Sequence, residues 1–306
     1  MAFVSFRRAF TWAMISVVTF LTMVYELPLK DEELKGKVVV VTGASTGIGE
    51  QIAYHYARHG AQVYLVARRK DVLNQVAKKC LALGAKKAVV HSADMGKPED
   101  IAGTFKDFSS NFKTLDHLVI NHKIENKLGL WTGDENNITN LENVMNVDFV
   151  GYVRLASAFL PLLEKSNGSI GVLSSMAGRI NTLYLLPYSA AKHALDGFFG
   201  GLRLELEAKN SNVSITFCVL GLIDTDNAIK ELKTLGFPNL SRLGAASAND
   251  TAHAVVTAVT RKRRELYYPW LATRIPLIFR YVSPKVFDAA GAFFLRAGEV
   301  LEGPKV

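Results

Sequence analysis

KVVVVTGASTGIGE, residues 37–50, runs a short apolar stretch straight into a turn holding Gly43, Gly47 and Gly49, and then opens a helical pattern. Glycines at such a turn let the backbone come close to a pyrophosphate, and the helix start aims its amide hydrogens at the negative charge. A glycine-rich turn alone is weak. Its place, closing the first strand and opening the first long helix, makes it specific.

Outward from that turn the pattern repeats. QVYLV (62–66), KAVVH (87–91), DHLVI (116–120), SIGVL (169–173) and SITFCVL (214–220) are β-rich runs separated by segments with apolar residues at helical spacing. Repeated βαβ units predict an α/β fold, a doubly wound parallel sheet of Rossmann type. No interior linker or internal repeat divides the chain, so residues 34–306 read as one dinucleotide-binding domain behind an N-terminal segment, 1–33.

Composition narrows the function. The chain has 306 residues, 49% of them hydrophobic, and a formal charge of +8. The only dense basic run, Arg261, Lys262, Arg263 and Arg264, ends a predicted helix and reads as a solvated helix end rather than a nucleic-acid surface. Cys80 and Cys218 are too few for a disulfide framework and read as small buried hydrophobes. No metal is expected.

The N-terminus is different in kind. Residues 9–25, AFTWAMISVVTFLTMVY, carry no charge, and as a helix would span about 25 Å, close to a bilayer core of about 30 Å. A single-pass anchor is the favoured reading and a cleaved signal peptide the competing one. Arg7 and Arg8 precede the run while Asp31, Glu32 and Glu33 follow it, so the positive-inside rule leaves the domain facing the lumen. Sequons at Asn137, Asn167, Asn212, Asn239 and Asn249 are compatible with that side.

The second β run ends in ARRK. A site for NAD usually places an acid where Ala67 stands, whereas Arg68 and Arg69 suit a ribose 2′-phosphate, so NADP(H) is the expected cofactor. YSAAK, residues 188–192, puts Tyr188 and Lys192 on one helix face. It follows the fifth strand, whose end sets Ser175 thirteen residues before Tyr188.

Together, the TGxxxGxG turn, Asn121 ending the fourth strand, Ser175 and Tyr-x-x-x-Lys resemble the short-chain dehydrogenase/reductases, over roughly residues 34–268. LVINH, YSAAKHALDGFFGGLR and VSITFCVLGLIDT, with the basic-then-apolar N-terminus, look most like the 11-beta-hydroxysteroid dehydrogenase subgroup of that family: anchored, lumen-facing, NADP(H)-linked enzymes of the endoplasmic reticulum. The resemblance implies Tyr188 as general acid or base, Lys192 lowering its pKa and holding the nicotinamide ribose, and Ser175 bonding the substrate oxygen. It also implies a cofactor set of Gly43, Ser45, Thr46, Gly47, Ile48, Gly49, Arg68, Arg69, Asp94, Asn121, Tyr188, Lys192, Ile223 and Thr225. Leu220 matches the subgroup where many relatives carry proline. Asp148 stands where the family usually has an asparagine in its fourth helix, and is expected to slow the proton relay.

The substrate is expected to be lipophilic and to meet Ser175, Tyr188, Leu183 and Tyr184; a steroid rests on the resemblance. A non-catalytic dinucleotide-binding scaffold, or a reductase of other lipophilic carbonyls, is the alternative. Near the C-terminus, Val286, Phe287, Ala290, Phe293 and Phe294 fall on one helical stripe, expected to face a second subunit or the bilayer surface.

Overall fold

A computed structural model describes Met14, residues 29–234 and residues 244–302. The expected anchor lies almost wholly outside the described residues. Among those residues no helix is long and apolar enough to cross a membrane.

A short helix α1 (Asp31–Leu34) leads into β1 (Val38–Thr42), α2 (Gly47–Arg58), β2 (Gln62–Ala67), α3 (Lys70–Ala82) and β3 (Lys87–Ser92). Next come α4 (Pro98–Asn111), β4 (His117–Ile120), α5 (Glu135–Met145), a π turn (Asn146–Val150) and α6 (Gly151–Ser166). Then follow β5 (Ser169–Ser175), a 3₁₀ turn (Met176–Gly178), α7 (Leu186–Ala208), β6 (Ser214–Leu220), β7 (Ile223–Asp224) and α8 (Asp226–Lys233). The chain closes with β8 (Ala246–Ser247), α9 (Ala248–Thr260), β9 (Glu265–Tyr268), α10 (Trp270–Val282) and α11 (Pro284–Glu302).

Seven strands form one sheet in the order β3-β2-β1-β4-β5-β6-β9, every pair parallel. The runs read as strands lie in this sheet, but β9 was not legible as one: ELYY is short and merges with the aromatic segment after it. Valines fill β1 because both faces are covered, and all five of its residues are buried. One face packs on α2, α3 and α9 through Ile52, Leu73 and Val255; the other packs on α4, α6 and α7 through Phe108, Phe159 and Phe199. Burying one such side chain contributes about 1.5–3 kcal/mol.

The winding places the site. From β1 the chain moves outward through β2 to β3, then returns to lay β4 on the other side of β1. Loops leaving β1 and β4 therefore diverge, and a crevice opens at the strands' carboxyl ends. Cys80 and Cys218 are free and buried, and burial pushes both thiols up to about 12.

Candidate active site

At that crevice lies a cavity of about 470 Å³. Gly43, Ser45, Thr46, Gly47 and Ile48 form its floor. Gly43 has φ +63°, a left-handed conformation that suits glycine. Asn121 Nδ2 reaches both the Thr42 and Gly43 carbonyls at 3.3 Å, tying the turn to the end of β4. Gly49 does not line the cavity; a Cβ there would lie 2.3 Å from the Gly43 carbonyl oxygen, so it lets α2 pack on its own turn.

Arg69 Nη2 donates to Ser45 Oγ at 3.2 Å and Thr46 Oγ1 at 3.3 Å, which holds the guanidinium over the glycine turn. Arg68, Asp94, Asn121 and Thr225 also line the cavity. Ile223, expected among the cofactor residues, is instead buried against the hydrophobic core and is not part of the lining. A close-packed glycine turn, the start of a twelve-residue helix and two arginines fit a phosphorylated dinucleotide at its adenosine and phosphate half.

Ser175 ends β5, and α7 starts two residues before Tyr188. Lys192 Nζ lies 5.5 Å from the centre of the Tyr188 ring. It donates to the Leu173 carbonyl at 3.2 Å and to Tyr152 Oη at 3.3 Å, while Tyr152 donates to the His122 carbonyl at 2.8 Å. Burial pulls the Lys192 ammonium down to about 8, with Asp148 opposing and Lys123 reinforcing. Burial and the Asp148 charge push the Tyr188 phenol above its usual range, and a hydrogen bond with Ser175 acts against them. The structure brings Ser175, Tyr188 and Lys192 near one another, although none of the three lines the cavity.

Asp148 sits on the π turn between α5 and α6 and is fully buried. Its Oδ1 accepts from the Ile124 N–H at 2.8 Å; Oδ2 is buried with no hydrogen-bond partner among the described residues. Burial raises this carboxyl above the ordinary range, with Lys192 pulling the other way. Asn146 points elsewhere and donates to the Gly96 carbonyl at 2.8 Å, as expected for a residue two places round the helix.

Sequence reasoning missed Lys123. Its Nζ lies 5.9 Å from the Tyr188 ring centre and 2.5 Å from Glu231 Oε1 on α8, and it also borders the cavity. A second ion pair, Lys230 to Glu125 at 2.6 Å, joins the same two segments. The signal available was position: Lys123 follows Asn121 and His122 at the carboxyl end of β4, where side chains converge. Nothing in the sequence pointed to Glu231.

Tyr184, expected to meet the substrate, has φ +63°, its carbonyl accepts from the Gly129 N–H at 3.2 Å, and it lines a smaller cavity of about 120 Å³ with Trp131, Leu186 and Pro187. Leu183 is exposed and outside that lining. Among the described residues no group of three or more His, Cys, Asp or Glu could hold a metal ion.

The profile of the family described as short chain dehydrogenase matches residues 37–235, and the chain belongs to that family. The hydroxysteroid 11-beta-dehydrogenase 1-like protein of Danio rerio is 43% identical over 275 residues, covering 89% of this chain and 93% of that protein. Its namesake in Gallus gallus is 44% identical over 255 residues, covering 83% and 86%. Among solved structures, an alcohol dehydrogenase from Thermococcus sibiricus complexed with 5-hydroxy-NADP superposes with a TM-score of 0.66 at 25% identity, over 76% of this chain and 96% of that one. L-sorbose reductase from Gluconobacter frateurii, complexed with NADPH and L-sorbose, shares the fold with a TM-score of 0.72 at 24% identity, over 80% and 99%.

Proposed function

We propose that this chain is an NADP(H)-dependent oxidoreductase interconverting a lipophilic alcohol and its ketone, with a hydroxysteroid as the favoured substrate. The observation that carries the reading is the joint presence of two arms. Arg69 is held over the glycine turn beside Arg68, and Tyr188 and Lys192 face each other near the end of β5. Ala67 leaves no acid to repel a 2′-phosphate. The relatives' shared name supports the steroid class.

A nicotinamide held at its ribose by Lys192 would supply or accept the hydride. Tyr188 moves the proton at its phenol oxygen, Ser175 donates to the substrate oxygen as charge gathers there, and Lys192 stabilises the phenolate. Asp148 stands against this, since its negative charge opposes phenolate formation.

Purified protein, assayed with NADPH on a panel of steroid and aromatic ketones and in reverse with NADP and the alcohols, tests the reading. Turnover of a steroid supports it. Cofactor binding without turnover in either direction favours a non-catalytic scaffold, for which the buried Asp148 is the one specific support.

We also infer a single-pass anchor in residues 1–33 holding the domain in the lumen of the endoplasmic reticulum, and a homodimer or membrane contact through the C-terminal helices. The exposed Leu271, Ile275 and Ile278 of α10 support that contact. Intact microsomes should then protect residues 34–306 from added protease; digestion without detergent would reverse the orientation.

A further inference from the structure

Two ammonium groups face the ring of Tyr188: Lys192 from its own helix at 5.5 Å, and Lys123 from the loop after β4 at 5.9 Å. Lys123 is partly withdrawn from solvent. Its side chain is 30% exposed, that of its partner Glu231 only 14%. The same carboxylate accepts from the Asn126 backbone and side chain, each at 3.3 Å. Ile124, the next residue after Lys123, gives its N–H to Asp148. Residues 123–126 therefore touch Asp148 on one side and α8 on the other.

We propose, resting on the oxidoreductase reading above, that Lys123 is a positioning residue for the Tyr188–Lys192 pair. Its ammonium controls how readily Lys192 keeps a proton, and Glu231 controls how much of that ammonium Lys192 feels. The physical basis is short-range: a like charge disfavours a second ammonium in a poorly solvated site, and a counter-charge bound to it removes much of the effect.

Lys192 is faced by Asp148 from the π turn, Tyr152 from α6, Tyr188 from α7, and His122 and Lys123 from the loop after β4, with Glu231 behind Lys123. Burial keeps His122 neutral, holding it down to about 3, and keeps Tyr152 protonated by raising its phenol. Asp148, Lys123 and Glu231 are left as the charges that tune the site. Burial holds Lys192 down to about 8, with Asp148 opposing and Lys123 reinforcing, so these neighbours bear directly on its charge. With α8 seated, Glu231 masks Lys123 and Lys192 stays charged to support a phenolate. Without that carboxylate, Lys123 is unmasked and Lys192 gives up its proton more easily.

The test needs neither turnover nor cofactor. Protein labelled with ¹³Cε-lysine is titrated by NMR, the Lys192 signal being assigned by its absence in Lys192→Met. Lys123→Met should raise the Lys192 midpoint and Glu231→Gln should lower it, each by about half a pH unit or more. Lys123→Arg, which keeps the charge, should leave it in place. If the ion pair merely tethers α8, both neutralising variants release the helix and move the midpoint the same way or not at all; either result overturns the proposal, as does an Arg variant that behaves like Met. Because the readout is a protonation state, its failure leaves the proposed reaction standing, and an inactive protein leaves this titration interpretable.

Discussion

Asp148 Oδ1 accepts the Ile124 N–H at 2.8 Å, so the carboxylate at the family's usual asparagine position supplies an acceptor that an amide would supply equally well. What differs is charge. The residue is fully buried, and Lys192 partly compensates it.

Asp148→Asn should keep the Ile124 bond, fold normally and remove a negative charge that opposes the Tyr188 phenolate. Turnover near neutral pH should rise, and the alkaline requirement for oxidation should move to lower pH. Asp148→Ala instead orphans the Ile124 N–H and should cost about 1–3 kcal/mol in urea unfolding. An Asn variant slower than the parent at every pH would show that the carboxylate has a role of its own.

Replacing Arg68 and Arg69 together with Ala should weaken NADPH binding far more than NADH binding. Each charged hydrogen bond lost is worth about 1.5–3 kcal/mol, a factor of ten or more in affinity. Arg69 also braces Ser45 and Thr46, so Arg69→Ala alone should carry the greater share of any loss common to both cofactors. Titration by intrinsic fluorescence measures the dissociation constants of both cofactors for each protein; equal losses for NADPH and NADH in the double variant would refute the 2′-phosphate assignment.

Gly178 lets the 3₁₀ turn press directly on the lysine's backbone. A Cβ there would lie 2.7 Å from the Lys192 carbonyl oxygen and 2.8 Å from its carbonyl carbon. Gly178→Ala should push α7 away from β5, costing about 1–3 kcal/mol of stability and most of the turnover. Thermal melting and steady-state rates check this together, and an Ala variant with parental kcat would mean that the position of Lys192 tolerates the shift.

Lys192 opposes folding at neutral pH. Its ammonium is pulled from 10.5 down to about 8 in the folded protein, a cost on the order of 3 kcal/mol. Between those two values the unfolded chain binds more protons than the folded one, so this residue makes stability rise with pH across about 8 to 10.5. Below 8 the cost is felt in full. Lys192→Met should be inactive, more stable than the parent at pH 7, and without that rise, as denaturant unfolding from pH 7 to 10 would show. A parental slope in the Met variant would assign the rise to another group.

The strands and the glycine turn were legible in the sequence because their causes are local. A valine run buried on both faces, Gly43 at a left-handed turn and a Tyr and Lys four residues apart each follow from near neighbours along the chain. The order of the motifs carried the family, and with it Ser175. β9 was hidden because four residues, ELYY, cannot declare a strand without the sheet edge that receives them. The π turn was hidden because NVDFV has an ordinary helical composition.

The residue types were therefore set by the sequence alone: an arginine pair after β2, a tyrosine and lysine four residues apart, and an aspartate at 148. Only the tertiary structure decided the electrostatic setting in which they act. Parallel pairing of β1 with β4 brings Asn121 to the glycine turn, and the return of the chain after β6 brings Glu231 to Lys123, 108 residues away in sequence. It also decided that Ile223 belongs to the core and Asp148 to the buried centre. Charges act through space and burial, and neither distance nor solvent exclusion can be read from spacing along a chain.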